Sequence, residues 1–222
     1  MSGCGFVATK SFISYLLLGN MFLTTHIPLS LEMTLKVLYG RKEMIEDRSF
    51  TRAFNLILKY EGGYADHPLD MGGATCYGIS SAFLKANNIN KDVKTLTVKD
   101  AKQIYRMYFW EVWNMDRFTD DGVKLFLFDT SVNCGIGTAA ICLQRAISMF
   151  EDIKLDGIVG NQTVTKCNRL SENNRSRFLD MLIHFRKQYY CEIVKSKPVQ
   201  RVFMRGWLDR SSDLLEQMWY TI

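Results

Sequence analysis

Two acidic residues and a hydroxyl residue lie close together in one glycine-rich stretch of the sequence. Glu61 is followed by Asp70 after eight intervening residues, and Thr75 comes after four more. One carboxyl group of such a pair can protonate the departing oxygen of a glycosidic bond, while the other positions a water molecule or stabilises positive charge on the sugar. A hydroxyl can help to hold that water. The pattern is therefore typical of glycosidic hydrolysis, although Glu and Asp residues are also common on protein surfaces.

The glycines around these residues suit a site that binds a polymer. Glycine lets a polysaccharide approach the backbone closely and allows turns with positive φ. Gly62-Gly63 directly follows Glu61 in the sequence, and Gly72-Gly73 follows Asp70 after one intervening residue. We predict a short hairpin around Gly72-Gly73, with Tyr77 and Ile79 on one face.

A helix over residues 49–61 is predicted to position Glu61. Its apolar residues share one helical face with Glu61; they are Phe50, Ala53, Phe54, Ile57 and Leu58. Ser49 or Asp47 can cap its start. Partial burial and the negative end of the helix dipole both disfavour an ionised carboxylate at the last position. We therefore expect Glu61 to hold a proton near neutral pH and to act as a general acid, the alternative being a Glu that only marks a frayed helix end.

The rest of the sequence predicts a mainly α protein, with about seven or eight helices and one small β-hairpin beside the helix that carries Glu61. One predicted helix, over residues 123–133, is almost entirely apolar. Asp129 and Asn133 interrupt it four positions apart, so they share a face and need polar partners. They either cap a neighbouring turn or line a cleft.

Composition narrows the class of partner. The 222 residues carry a formal net charge of +5, with a sequence pI of about 8.8 and no run of basic residues. This charge favours an anionic partner, such as a wall polymer, a membrane surface or nucleic acid, without choosing among them, and no nucleic-acid signature is found. The six cysteines form no CxxC pair, so we expect buried thiols and no metal site, with disulfides left open for an exported protein. The proposed chemistry needs no cofactor.

Residues 1–46 differ from the rest. Lys10 precedes an apolar run over residues 12–23, which is too short to span a bilayer, so no stable membrane span is expected. The run is similar to the apolar part of a signal peptide, but no small-residue cleavage site follows it. The alternative is an upstream extension with a later true start, for example at Met33 or Met44.

The sequence resembles glycoside hydrolase family 108 over about residues 47–212. The main match is Glu61-Gly62-Gly63-Tyr64 with Asp70-x-Gly72-Gly73-x-Thr75-x-Tyr77-Gly78-Ile79. Two later matches are Tyr105 to Trp110 and Phe128-Asp129-x-x-x-Asn133-x-Gly135. The region that follows resembles the family's peptidoglycan-binding region in Leu143-Gln144-Arg145-Ala146, Asp156-Gly157-x-x-Gly160-x-x-Thr163 and Gly206-Trp207-x-x-Arg210.

This resemblance implies a lysozyme-like N-acetylmuramidase. Such an enzyme cleaves the β-1,4 bond between N-acetylmuramic acid and N-acetylglucosamine, in phage lysis or in local wall opening for protein or toxin secretion. The family implies that Glu61 is the catalytic acid. Similarity to phage-type lysozymes implies Asp70 as the second carboxylate and Thr75 as a helper, although their threonine commonly lies one residue later, where this sequence has Cys76. The candidate substrate-binding residues are Tyr64, Tyr77, Asp129, Asn133 and Gln144.

We expect three regions: an N-terminal extension (1–46), a catalytic region (47–135) and a helical peptidoglycan-binding region packed on it (136–222). The expected partner is the peptidoglycan glycan strand, with no nucleic acid, and the protein is expected to be a monomer that acts in the periplasm or cell wall after synthesis in the cytoplasm. Two alternatives remain. A lytic transglycosylase needs only one Glu, so Asp70 argues against it. The other is a non-catalytic peptidoglycan-binding protein.

Overall fold

The computed structural model describes residues 47–61, 64 and 74–221. This part of the chain contains eight α-helices and one two-stranded antiparallel sheet, which confirms the predicted mainly α, lysozyme-like class. The helices are α1 (Arg48–Tyr60), α2 (Ser81–Ala86), α3 (Val98–Tyr105), α4 (Asp121–Cys134), α5 (Ile136–Ser148), α6 (Asn161–Asn173), α7 (Arg175–Ser196) and α8 (Met204–Trp219). The strands are β1 (Thr75–Cys76) and β2 (Ile79–Ser80). The predicted extension 1–46, the Gly62-Gly63 and Gly72-Gly73 pairs and Asp70 lie outside the described residues.

Helix α1 forms as predicted and ends at the proposed acid. The Asp47 side chain caps its start by accepting a hydrogen bond from the backbone N–H of Phe50 at 3.0 Å. At the other end, the Glu61 N–H donates to the carbonyl of Ile57 at 2.9 Å. The apolar face is buried because α1 packs against α4.

A short hairpin is present, with its turn at Tyr77 and Gly78, whereas the predicted turn at Gly72-Gly73 lies outside the described residues. Strand β1 pairs with β2 in the register Thr75–Ser80 and Cys76–Ile79, so the two turn residues are Tyr77 and Gly78. Both have positive φ, 50° and 78°. A two-residue hairpin loop of this kind needs positive φ at both positions, which glycine adopts freely and tyrosine does not. Tyr77 is therefore a turn residue, and it does not share a strand face with Ile79.

The aromatic segment after Thr97 changes its helical form. Thr97 and Asp100 form a capping box at the start of α3. The chain then continues as a π-helix over Arg106–Trp110 and as 3-10 turns over Glu111–Trp113 and Met115–Arg117. Further 3-10 turns are Val93–Thr95 and Pro198–Phe203.

Helix α4 is the centre of the described fold. Every residue from Gly122 to Cys134 except Lys124 is buried, because α1, α5, α7 and α8 all pack against this helix. Gly135 ends it with φ 91°. Helix α5 begins directly afterwards at Ile136.

One hydrophobic core extends across the described chain, from Phe50 in α1 to Met218 in α8. Its centre is an aromatic group in which the Phe128 ring lies 5.8 Å from Phe50, 5.5 Å from Trp110 and 6.1 Å from Tyr105, between centroids. The predicted catalytic and peptidoglycan-binding regions both contribute to this core.

The five described cysteines are free; Cys76, Cys134, Cys142 and Cys167 are buried and Cys191 is exposed. Within the described residues, no helix combines the length and apolar character needed to cross a membrane.

Replacing Phe128 with Ala should lower the free energy of unfolding by about 3–5 kcal/mol, because it removes a fully buried ring from the aromatic centre. Urea unfolding followed by circular dichroism measures this. Val202→Ala is the matched control, since that side chain is 77% exposed. Its effect should stay within about 0.5 kcal/mol. An equal loss in both variants would contradict the assignment of the core centre.

Candidate active site

Glu61 lies at the end of α1 with only 6% of its surface exposed. Its carboxylate faces a residue from the far end of the chain: the Arg210 guanidinium donates from Nη1 to Glu61 Oε1 at 3.1 Å. Burial was expected from the sequence, and the structure confirms it. The guanidinium of Arg210 was not expected from the sequence.

The hairpin turn lies directly against this carboxylate. A Cβ atom built at Gly78 would lie 2.7 Å from Glu61 Oε2 and 2.7 Å from the Tyr105 hydroxyl oxygen. The Tyr105 hydroxyl donates to the carbonyl of Tyr77 at 2.9 Å, which fixes the turn in place. Only glycine fits at position 78, because both the space and the positive φ exclude a side chain.

Arg210 joins Glu61 to a second buried acid. Its Nη2 donates to Asp129 Oδ2 at 2.9 Å, while its guanidinium carbon lies 4.8 Å from the centroid of the Tyr60 ring. The Arg210 side chain is only 10% exposed. Burial alone would lower the pKa of Arg210, but the carboxylates of Asp129 and Glu61 outweigh burial and raise it. Arg210 is therefore a fixed cation.

Asp129 is shared by two arginines. Arg186 Nη1 donates to Asp129 Oδ1 at 2.5 Å, and both side chains are fully buried. Burial alone would raise the pKa of Asp129, but the Arg210 and Arg186 guanidinium groups hold it below its usual value. The four buried groups Glu61, Arg210, Asp129 and Arg186 thus form a continuous chain of two carboxyl and two guanidinium groups.

Asn133 lies on the same face of α4 as Asp129, as predicted, and completes the surroundings of Arg186. The Tyr190 hydroxyl donates to Asn133 Oδ1 at 2.5 Å, and Arg186 Nε donates to the Tyr190 hydroxyl at 2.9 Å. The polar pair on α4 therefore contacts arginine and tyrosine side chains from α7 and α8, and both members are buried.

Gln144 supports a loop. Its Oε1 accepts from the backbone N–H of Gly157 at 2.8 Å, and its Nε2 donates to Asp156 Oδ1 at 2.9 Å and to the Ile158 carbonyl at 3.1 Å. Gln144 is 1% exposed. Its described partners all lie in the loop before α6.

The chain matches two family models. Residues 54–135 match the family described as glycosyl hydrolase 108, and residues 138–212 match the family described as predicted peptidoglycan domain. The chain carries a glycosyl hydrolase 108 region. Glu61 and its helix, the hairpin and Asp129 lie within this region, and Arg210 lies within the second. Together the two matches confirm the prediction of a peptidoglycan hydrolase that acts at the cell wall.

A solved structure is also similar to this chain over most of its length. The chain is similar to Brucella abortus SagA, with 28% identity and a TM-score of 0.65, over 78% of this chain and 95% of that one. Curated proteins give no significant match.

The other predicted site residues of the glycosyl hydrolase 108 region take different places. Thr75 is buried at the start of β1. Tyr64 is 45% exposed, and the Lys94 ammonium lies 5.9 Å from its ring centroid. Tyr77 occupies the turn against Glu61. Asp70 lies outside the described residues, so its predicted role as the second carboxylate remains a prediction.

Sequence reasoning missed Arg186, Arg210 and the Tyr105 hydroxyl. For Arg186 a signal was available, because it occupies the apolar face of α7 between Ile183 and Tyr190. A lone cation on a buried helical face requires a buried anion, and Asp129 is the matching acid on α4. For Arg210 the sequence shows only a motif residue, and nothing local connects it with Glu61.

Replacing Gly78 with Ala should lower the free energy of unfolding by about 1–3 kcal/mol, because the new methyl group meets Glu61 and Tyr105 in a backbone conformation that alanine disfavours. It should also abolish most wall-degrading activity by displacing the carboxylate. Gly137→Ala in α5 is the control, since a Cβ there meets nothing within 4 Å. If both alanine variants behaved alike in unfolding and activity assays, the tight fit at Gly78 would be refuted.

Replacing Asp129 with Asn should destabilise the protein by about 3–5 kcal/mol at pH 7, because two buried guanidinium groups lose their shared anion. The lowered pKa of Asp129 means that its stabilising contribution is complete above the pKa of an unfolded Asp, about 3.9, and is lost as the pH falls through the folded value.

The wild-type Tm should therefore fall below about pH 4, and the gap between wild type and Asp129→Asn should narrow there. Asp209→Asn on α8, with a side chain 71% exposed, is the control and should match wild type at every pH. Thermal unfolding across pH measures both. A gap that stays constant into acid would show that the Asp129 charge does not stabilise the fold.

Proposed function

We propose that the chain is an N-acetylmuramidase that hydrolyses the β-1,4 bond between N-acetylmuramic acid and N-acetylglucosamine. The observation that carries this proposal is the Glu61 carboxyl group. It is held at the end of a buried helix, against the glycine of a hairpin turn, inside the region that matches glycosyl hydrolase 108. A carboxyl group fixed in this way is suited to proton donation to a glycosidic oxygen.

In the proposed reaction, Glu61 is the general acid. It gives its proton to the glycosidic oxygen, and positive charge develops on the muramic acid ring as the bond to that oxygen breaks. Asp70 is proposed to position water or to stabilise this charge, with Thr75 in strand β1 as a helper. No step requires a metal or a cofactor.

Substrate contacts are proposed for the aromatic residues beside the acid. Tyr77 lies in the turn against Glu61 and is only partly buried, and Tyr64 is 45% exposed. Both rings are suited to packing against sugar faces. Asp129, Asn133 and Gln144 are buried with polar partners of their own, so we propose that they support the site without touching the glycan.

Two biological settings fit this chemistry: phage lysis and local opening of the wall during protein or toxin secretion. Both require cleavage of the same glycan strand. We propose that the protein acts as a monomer.

The test is product analysis of purified sacculi. Wild type should release muropeptides with reducing ends, whereas Glu61→Gln should lose activity by at least about 100-fold, since the amide keeps the shape but carries no acidic proton. Asp70→Asn tests the second carboxylate. Glu172→Gln is the matched control, because this glutamate is exposed on α6. Thermal unfolding verifies that each variant folds.

Other outcomes would assign a different function. Anhydro sugar products would identify a lytic transglycosylase. Tight binding to sacculi without any released sugar would identify a binding protein. Full activity of Glu61→Gln would rule out Glu61 as the acid.

A further inference from the structure

We propose that Arg210 is a positioning residue for Glu61, which holds one carboxylate oxygen so that the other carries the catalytic proton. This inference rests on the proposed function and adds a residue from the predicted peptidoglycan region to the hydrolytic site. Arg210 lies 149 positions after Glu61 in the sequence, yet the two side chains are hydrogen-bonded at 3.1 Å.

The arginine is itself held on three sides. Asp129 accepts from Nη2 at 2.9 Å, the Tyr60 ring covers the guanidinium at 4.8 Å, and Glu61 accepts from Nη1. Asp129 cannot move away, because Arg186 holds its other oxygen at 2.5 Å in a fully buried pair. The guanidinium is therefore a rigid support, and its planar fork can reach both carboxylates at once.

The contact distinguishes the two oxygens of Glu61. Arg210 occupies Oε1, whereas Oε2 lies beside Gly78, only 2.7 Å from the position of the missing Cβ. A proton cannot lie between Oε1 and a guanidinium N–H that already points at it. The acidic proton therefore belongs on Oε2, on the side of the hairpin turn.

The charge of Arg210 also serves the reaction. As the proton passes from Oε2 to the glycosidic oxygen, the bond between that oxygen and the anomeric carbon breaks, and its electron pair stays on the departing oxygen. Glu61 becomes a carboxylate, whose negative charge the guanidinium already faces. Water then adds to the anomeric carbon, and the proton that it releases restores the acid.

A purely structural ion pair would stabilise the fold without affecting the acid. The two roles differ in what they do to catalysis. A positioning role predicts a change in kcat with little change in KM, because the contact acts on the reacting group and not on the glycan. It also predicts a changed pH profile, because removing a cation from Glu61 makes the carboxylate less favourable.

The experiment compares Arg210→Met and Arg210→Lys with Arg205→Met and Arg205→Lys on soluble glycan fragments from peptidoglycan. Arg205 lies on the same helix with a side chain that is 94% exposed. In Arg210→Met, kcat should fall by about 10- to 100-fold with KM unchanged, and the alkaline limb of kcat against pH should move upward. The Arg205 variants should match wild type.

Arg210→Lys keeps the charge but not the fork, so its kcat should fall less and its pH profile should stay close to that of wild type. If Arg210→Met does not fold, Arg210→Lys decides: an unchanged kcat in that folded variant overturns the proposal. A folded Arg210→Met variant that keeps the wild-type kcat and pH profile, or that loses only thermal stability, also overturns the proposal.

Glu61→Gln, measured beside them, separates the two proposals. If it is inactive while the Arg210 variants behave as wild type, only the role of Arg210 fails. If Glu61→Gln is active, the proposed function fails first, and the role of Arg210 fails with it.

Discussion

The carboxylate of Asp129 lies in the core of the protein with a guanidinium group on each of its oxygens. Removing such an ion from water costs several kcal/mol, and only close partners of opposite charge compensate for this cost. Arg186 from α7 and Arg210 from α8 supply these partners at 2.5 and 2.9 Å. Helix α4 therefore cannot rotate or slide against α7 and α8 without leaving charges unpaired. The packing around α4 is fixed by charge as well as by shape.

The site at Glu61 depends on this same arrangement. Arg210 is oriented by Asp129, so the side chain that reaches Glu61 is already rigid before any substrate arrives. On the opposite side, the Tyr105 hydroxyl holds the hairpin turn through the carbonyl of Tyr77. The carboxyl group is thus enclosed between a fixed cation and a fixed turn. Preorganisation of this kind is what a general acid needs, because the proton must leave in one direction.

The two family matches describe parts of one folded unit. A single hydrophobic core includes residues of both, and the buried charges connect Glu61 and Asp129 in the first region with Arg186 and Arg210 in the second. The region described as a predicted peptidoglycan domain therefore contributes to the surroundings of the acid. A family boundary in the sequence is not a physical boundary here, because the partners of the buried carboxylates lie beyond it.

The sequence by itself determined the local features. The 3.6-residue period and the cap at Asp47 defined α1 and placed Glu61 at its buried end. The apolar run that contains Asp129 and Asn133 identified a buried helix whose two polar side chains require polar partners. These features depend on residues three or four positions apart, so they can be read from the chain. The mainly α class followed from them, because each apolar stripe must be buried against another helix.

Only the tertiary structure decided which groups meet. Arg186 lies 57 positions from Asp129 and Arg210 lies 149 positions from Glu61, so no periodicity connects them. The structure also shows that the Tyr77-Gly78 turn packs against Glu61 and Tyr105, where Gly78 leaves no room for a side chain. Long-range pairing of buried charges and close packing against a carboxylate are properties of the folded chain, and they determine how the acid is held.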